Sequence, residues 1–260
     1  MNTNEKLLKI YEYANEFLLN YVSKDVLLKQ LDHYYEFKPD SLELIFKQMI
    51  SSLKNKQGYD NFIANIDLFK GILEDYNPKK VNQKYELNWE LLFNDFKNQF
   101  NNNYKMDITN KRNAWVMYSK GVLSCSLFLN NFDSFSDFDN FVKSFFLNEF
   151  TIASLPMLLE KEIFGFGFPL ACDFLKELGY VQYGKPDVHL KDIFYELKIT
   201  NNKSDYEIFK KIVKIGIITK NDPVIVDKIF WLIGSGNFYE SKIKIGRKKE
   251  EFIKYIKDKI

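Results

Sequence analysis

Cysteine is nearly absent from this sequence: Cys125 and Cys172 are the only two, and neither stands in a Cys-x-x-Cys pair. Two sulfurs cannot by themselves hold an iron–sulfur cluster or a structural zinc, and each lies in an apolar helical run, so buried reduced thiols are expected. Histidine is as scarce. His33 and His189 lie far apart with no ligand-spaced carboxylates, which predicts no transition-metal site. No stretch approaches the roughly 18 apolar residues of a membrane span. The start "MNTNEKLLKIYEY" carries acid early and lacks the apolar core of a signal peptide. A cytoplasmic protein with no membrane partner is the expectation.

Strong net charge is missing too. Lys and Arg number 37 against 35 Asp and Glu, a formal +2, so charge alone demands no polyanionic partner. Its distribution says more. Residues 241–260 hold Lys242, Lys244, Arg247, Lys248, Lys249, Lys254, Lys257 and Lys259 against Glu250, Glu251 and Asp258. Such a tail can reach phosphates, or serve as a solvated helix face. Hydrophobic residues make up 46%, enough for a sizeable core in one large domain or two small lobes.

Apolar residues recur at helical spacing almost throughout, as in Leu7, Ile10, Tyr11, Ala14, Phe17 and Leu18, or Leu42, Ile45, Phe46, Met49, Ile50 and Leu53. Further helical patterns cover roughly 62–73, 86–100, 112–129, 136–147, 152–164, 169–178, 187–197, 205–215 and 222–234. Pro39, Pro78, Pro156, Pro186 and Pro223 sit at or near apparent helix starts. The alternating stretch "SKIKIG" at 241–246 is too short to build a sheet. There is no internal repeat and no long linker. The predicted class is all-α.

One stretch concentrates the chemistry. In "GFGFPLACDFLKELGYVQYGKPDVHL", residues 165–190, Gly165 and Gly167 precede a helix that begins at Pro169 and stops at Gly179. Glycines before a helix N-terminus leave N–H groups pointing outward, a ready anion site, although a plain αα-hairpin needs the same glycines for sterics alone. Asp187 then stands directly before the apolar run Val188, Leu190, Ile193 and Phe194, the natural place of an N-cap.

Ile163-Phe164-Gly165-Phe166-Gly167 followed by Pro186-Asp187-Val188-His189 resembles the helix-hairpin-helix, endonuclease III-like DNA glycosylase superfamily. The superfamily's signature is Leu-Pro-Gly-x-Gly, a short helix, and Val-Asp-x-His about twenty residues on. The resemblance extends weakly to "FKQMISSLKN" upstream and "DPVIVDKIFWLIG" downstream. It implies an all-α, two-lobed fold with the active-site cleft between the lobes. One lobe would be a central barrel over 41–184 with the hairpin at 165–168; the other would combine 1–40 with 185–260. The partner implied is double-stranded DNA carrying a damaged or modified base, flipped out for excision.

By the same resemblance Asp187 would be the catalytic carboxylate, and Gly165, Phe166, Gly167, Phe168, Lys185 and Lys191 would contact DNA. Leu53, Lys54 and Asn55 would fill the gap left by the base, while Trp115, Tyr118 and Trp231 would wall its pocket. His189, two positions past Asp187, turns to another helix face and is expected to be structural or phosphate-facing. Lyase-competent members carry a Lys two residues after the second hairpin glycine, where this chain has Pro169. Lys176 lies two helical turns further on and is expected to point elsewhere. The cysteines of the superfamily's iron–sulfur cluster are also missing. The expectation is a monomeric, single-function glycosylase without AP-lyase activity and without a cofactor, with room for a potassium or sodium ion at the hairpin carbonyls. Two alternatives stay open: a non-catalytic DNA-binding module, and a base-excising enzyme of a restriction or defence system.

Overall fold

The computed structural model describes residues 2–36, 38–55 and 62–260. Among the described residues lie thirteen α-helices, three short 3₁₀ turns and one two-residue antiparallel ladder. The class is all-α. Two compact units divide the chain: Met1–Lys38 together with Leu175–Ile260, and Pro39–Phe174 between them. The second break falls ten residues before the expected 184/185, because the end of helix α9 (Phe168–Glu177) belongs with the later helices, where Lys176 is paired with Asp227.

The Pro39–Phe174 unit is organised by α6 (Ala114–Leu129), whose sequence "AWVMYSKGVLSCSLFL" is apolar almost all round and so is buried almost all round. Helices α3 (Leu42–Lys54), α4 (Pro78–Tyr85) and α5 (Trp89–Phe100) pack on it. Rings fill the space between. Phe69, Phe96 and Phe100 surround Trp115, with Phe100 stacked on it at 5.5 Å between centroids and Phe96 at 5.3 Å. Each fully buried phenyl ring contributes roughly 1.5–3 kcal/mol.

Two expectations fail in this unit. The helical pattern at 62–73 yields only one 3₁₀ turn, Ile66–Phe69, and a second, Glu74–Tyr76, follows just beyond it. The Asn65 side chain starts the first, and the left-handed backbone at Glu74, Asp75 and Tyr76 ends any continuous helix. Pro156 does not start a helix either. It lies inside α8 (Glu149–Glu162), which begins earlier at a capping box between Asn148 and Thr151.

The other unit collects α1 (Thr3–Leu19), α2 (Lys24–Glu36), α10 (Val188–Glu196), α11 (Asp205–Thr219), α12 (Pro223–Ser235) and α13 (Lys249–Lys259). Helix α12 is its axis, with Ile229, Phe230, Leu232 and Ile233 fully buried. Phe194 meets Phe230 edge-on at 5.1 Å, and Phe17 meets Phe252 at 5.3 Å. The alternation at 241–246 yields only the pairing of Asn237–Phe238 with Ile243–Lys244.

Candidate active site

Asp187 is the N-cap of α10, with extended backbone at φ −82° and ψ 177°. Its Oδ1 accepts from the main-chain N–H groups of His189 at 2.8 Å and Leu190 at 3.1 Å. One carboxylate oxygen thus satisfies two helix-end donors that would otherwise lack partners. Among the described residues no donor reaches the other oxygen, Oδ2. The carboxylate is fixed through one atom and open at the other.

The segment before it is fastened to α12. The main-chain N–H of Lys185 donates to Asp227 Oδ2 at 2.8 Å, and the same oxygen accepts from Lys176 Nζ at 3.1 Å. Asp187 N–H in turn donates to the Lys185 carbonyl at 2.9 Å. Gly184 makes the approach possible, since a Cβ there would lie 2.6 Å from Ile212 Cγ2 and 2.8 Å from the Pro223 carbonyl oxygen. His189 leans its ring on Gly234 of α12.

Charge is concentrated around this loop. Burial pushes the Asp187 carboxyl above its ordinary value and the nearby Asp227 carboxylate adds to the push, while the Leu190 N–H, His189 and Lys176 oppose it. Lys228, also buried, places Nζ 4.3 Å from the ring centroids of Trp231 and Tyr239 and 5.3 Å from that of Tyr34, and donates to the Tyr239 hydroxyl at 2.8 Å. Burial drives the Tyr34 hydroxyl far above its ordinary value. His33 lies between Glu177 at 3.5 Å and Glu240 at 3.3 Å.

The hairpin lies in the other unit. Gly165 has φ +93°, a left-handed backbone that favours glycine, whereas Gly167 does not need one. The Phe164 N–H donates to Ser124 Oγ at 2.8 Å, and the Gly167 carbonyl accepts from Leu170 and Ala171 at the start of α9. Phe166 and Phe168 are buried, at 6% and 5% exposure, with Phe166 against Phe174. These two anchor the hairpin from inside, and its outward surface is main chain. Pro169 is the second residue of α9.

Other candidates fall differently. Leu53 is 3% exposed and packed so tightly on Gly121 that a Cβ there would lie 2.8 Å from its Cδ1, so it is a core residue with nothing to insert. Lys54 is half-buried, and Asn55, the α3 C-cap, is exposed. Trp115 and Tyr118 are each 1% exposed, inside the aromatic cluster, and the Tyr118 hydroxyl is spent on the Ile50 carbonyl at 3.0 Å. Neither has a face left for a base. Trp231 is half-buried, with Tyr239 edge-on at 6.1 Å. Lys191 is ion-paired with Asp205. Within the basic tail, Lys248, Lys249 and Lys257 pair with Glu251, Asp192 and Glu196, and Lys259 sits over Tyr13 and Tyr255.

Sequence reasoning named Lys176 only to expect it to point elsewhere, and passed over Asp227. The signal was present, since Asp227 and Lys228 are the only charged residues in the apolar helix "PVIVDKIFWLIGS". A charge at such a position is kept by a partner or a task. Among the described residues no three His, Cys, Asp or Glu side chains gather as a metal site would require, and no helix is long and apolar enough to cross a membrane.

No family model matches the sequence, and no curated protein matches it. Solved structures do match in fold. The crystal structure of Methanocaldococcus jannaschii 8-oxoguanine DNA glycosylase aligns over 91% of this chain and 99% of its own, with TM-score 0.55 and 19% identity. The 8-oxoguanine glycosylase/lyase of the same archaeon, in complex with a 15mer DNA containing 8-oxoguanine, aligns over 86% of this chain and 96% of its own, with TM-score 0.53 and 18% identity. The chain shares the fold of these two structures.

Proposed function

We propose that this protein is a DNA glycosylase that hydrolyses the N-glycosidic bond of a damaged or modified base, with Asp187 as its reacting carboxylate and no lyase step. The observation that carries the reading is the Asp187 carboxylate, held through Oδ1 at the start of α10 and open at Oδ2, twenty residues after the hairpin's Gly167 in a glycosylase fold.

The chemistry follows from the charge that develops. As the bond between C1′ and the base nitrogen breaks, the base leaves with the bonding electrons and the sugar gains positive charge. A nearby carboxylate stabilises that charge and accepts a proton from the water that adds to C1′. Asp187 has to be ionised for both tasks. Pro169 has no amine to form a Schiff base with C1′, which leaves an unbroken abasic strand as the product. Since the fold is shared with proteins that act on 8-oxoguanine, that lesion is the first to try.

Labelled duplexes bearing 8-oxoguanine, 3-methyladenine, uracil, hypoxanthine or thymine glycol, incubated with wild type and Asp187→Asn, test this directly. Strand breaks that need alkali, appear for one lesion class and vanish in the variant are expected. Breaks without alkali would mean that another lysine supplies the amine. The emptied lysine position at Pro169 favours one other reading, a module that binds DNA without chemistry. It predicts salt-sensitive duplex binding, equal in both proteins, with no excision.

A further inference from the structure

An ion pair buried as fully as Lys176 and Asp227, with side chains 8% and 2% exposed, is held against a desolvation cost that apolar side chains would avoid. Its surroundings indicate what it does. Asp227 Oδ2 takes the Lys176 ammonium on one side and the Lys185 main-chain N–H on the other, and the Lys185 carbonyl accepts from Asp187 N–H. Hydrogen bonds therefore run unbroken from α9 through α12 to the backbone of Asp187.

We propose that the Asp227–Lys176 pair is the positioning element of Asp187: Asp227 clamps the main chain two residues ahead of the carboxylate, and Lys176 holds Asp227 in place. The importance of this for catalysis rests on the reading of Asp187 given above. The groups facing Asp187 are Asp227 from α12, Lys176 from α9 and His189 from α10. Behind the pair, the Tyr34 ring of α2 lies 5.4 Å from Lys176 Nζ. Asp227 opposes ionisation of Asp187 and outweighs Lys176, which favours it.

The test follows the Asp187 carboxyl carbon by NMR through a pH titration of the full chain, beside the acid limb of the excision rate. Four proteins are compared: wild type, Asp227→Asn, Lys176→Met and the double variant. Asp227→Asn keeps an oxygen for the Lys185 N–H and removes the charge, so Asp187 titrates at lower pH. Lys176→Met moves it to higher pH. The Asp227→Asn shift is expected at roughly one pH unit and the Lys176→Met shift at clearly less. The double variant titrates between wild type and Asp227→Asn. It carries the test alone if the single variants fail to fold, because neutral groups of similar volume replace both ions. Asp227→Ala loses the clamp, and its plateau excision rate is expected to fall on the order of a hundredfold.

Folded variants in which Asp187 titrates as in wild type, or in which both single changes move it the same way, would overturn the proposal. A wild type that excises no base, with opposed shifts intact, would sink the glycosylase reading and leave the role of the pair standing.

Discussion

The main-chain N–H of Lys185 donates to the Asp227 carboxylate at 2.8 Å, joining residues 42 positions apart in the chain. That bond exists because Gly184, the residue before it, has no side chain. A methyl group there would press on Ile212, the Pro223 carbonyl and the Asp227 Cβ together, and two of the three distances fall below 3.0 Å. Gly184→Ala is expected to cost about 1–3 kcal/mol by thermal or urea unfolding, as overpacked sites do. Whatever activity the protein has should fall with it, since the loop that carries Asp187 must shift.

Asp187 carries a cost in stability when it ionises. Its folded-state pKa is raised by burial and by Asp227, so stability falls as the pH rises from the unfolded value, and the loss is complete past the folded one. Asparagine caps helices as well as aspartate does and does not titrate. Asp187→Asn should therefore melt above wild type at neutral pH, by roughly 2–4 °C for each kcal/mol gained. The difference should vanish in acid below the unfolded value, where wild type is protonated as well. Melting curves across pH decide it; a variant less stable than wild type at pH 7 would contradict the assignment.

His33 gives the opposite sign. Its pKa is raised, first by hydrogen bonding to Glu177 and further by the charges of Glu177 and Glu240, with burial opposing. The charged form stabilises the fold fully below the unfolded value, and that stabilisation is lost as the pH rises through the folded one. Wild type should thus exceed His33→Gln in melting temperature below about pH 6 and converge with it in alkali. Equal melting temperatures throughout would show that the two ion pairs contribute nothing.

Leu53 and Asn55 sit two residues apart and should behave as different kinds of residue. Leu53→Ala empties a packed site and is expected to cost about 2–5 kcal/mol. Asn55→Ala, at an exposed cap, should stay within about 0.5 kcal/mol. If Leu53→Ala instead leaves stability intact and weakens only DNA binding, the leucine is an inserting residue after all.

The two tryptophans expected as pocket walls should also separate. Trp115→Ala removes the centre of an aromatic cluster and should cost about 3–5 kcal/mol. Trp231→Ala loses a half-buried ring and its cation–π contact with Lys228, a smaller loss of about 1 kcal/mol for that contact. Denaturant midpoints measured side by side test the ranking.

Much of this architecture is legible in the chain. The stripes of α1 and α3, the proline starts of α4 and α12, and the Asp187 cap follow from local rules that tertiary packing did not override. The 62–73 pattern misled because 3₁₀ turns and helices share apolar spacing over so few residues. Pro156 misled because a capping box at Asn148, eight residues earlier, had already begun the helix. The Asp187 cap and the left-handed turn at Gly165 were legible because both are local. The burial of Leu53, Trp115 and Tyr118 was not legible, because exposure depends on distant helices. Asp227 and Lys176 escaped because a charge in an apolar run reveals its partner only once both helices are in place.

The division of the chain bears on the order in which it can fold. The Pro39–Phe174 unit is continuous, so every residue it needs leaves the ribosome in one piece. Helices α1 and α2 instead belong with α10 to α13, and the whole of the other unit must be synthesised before those partners arrive. Until then the apolar stripe of α1, from Leu7 to Leu18, has nothing of its own unit to cover it except α2. Nascent chains halted before α10 should therefore show a protease-resistant middle and a cleavable start, the long-range closure coming last.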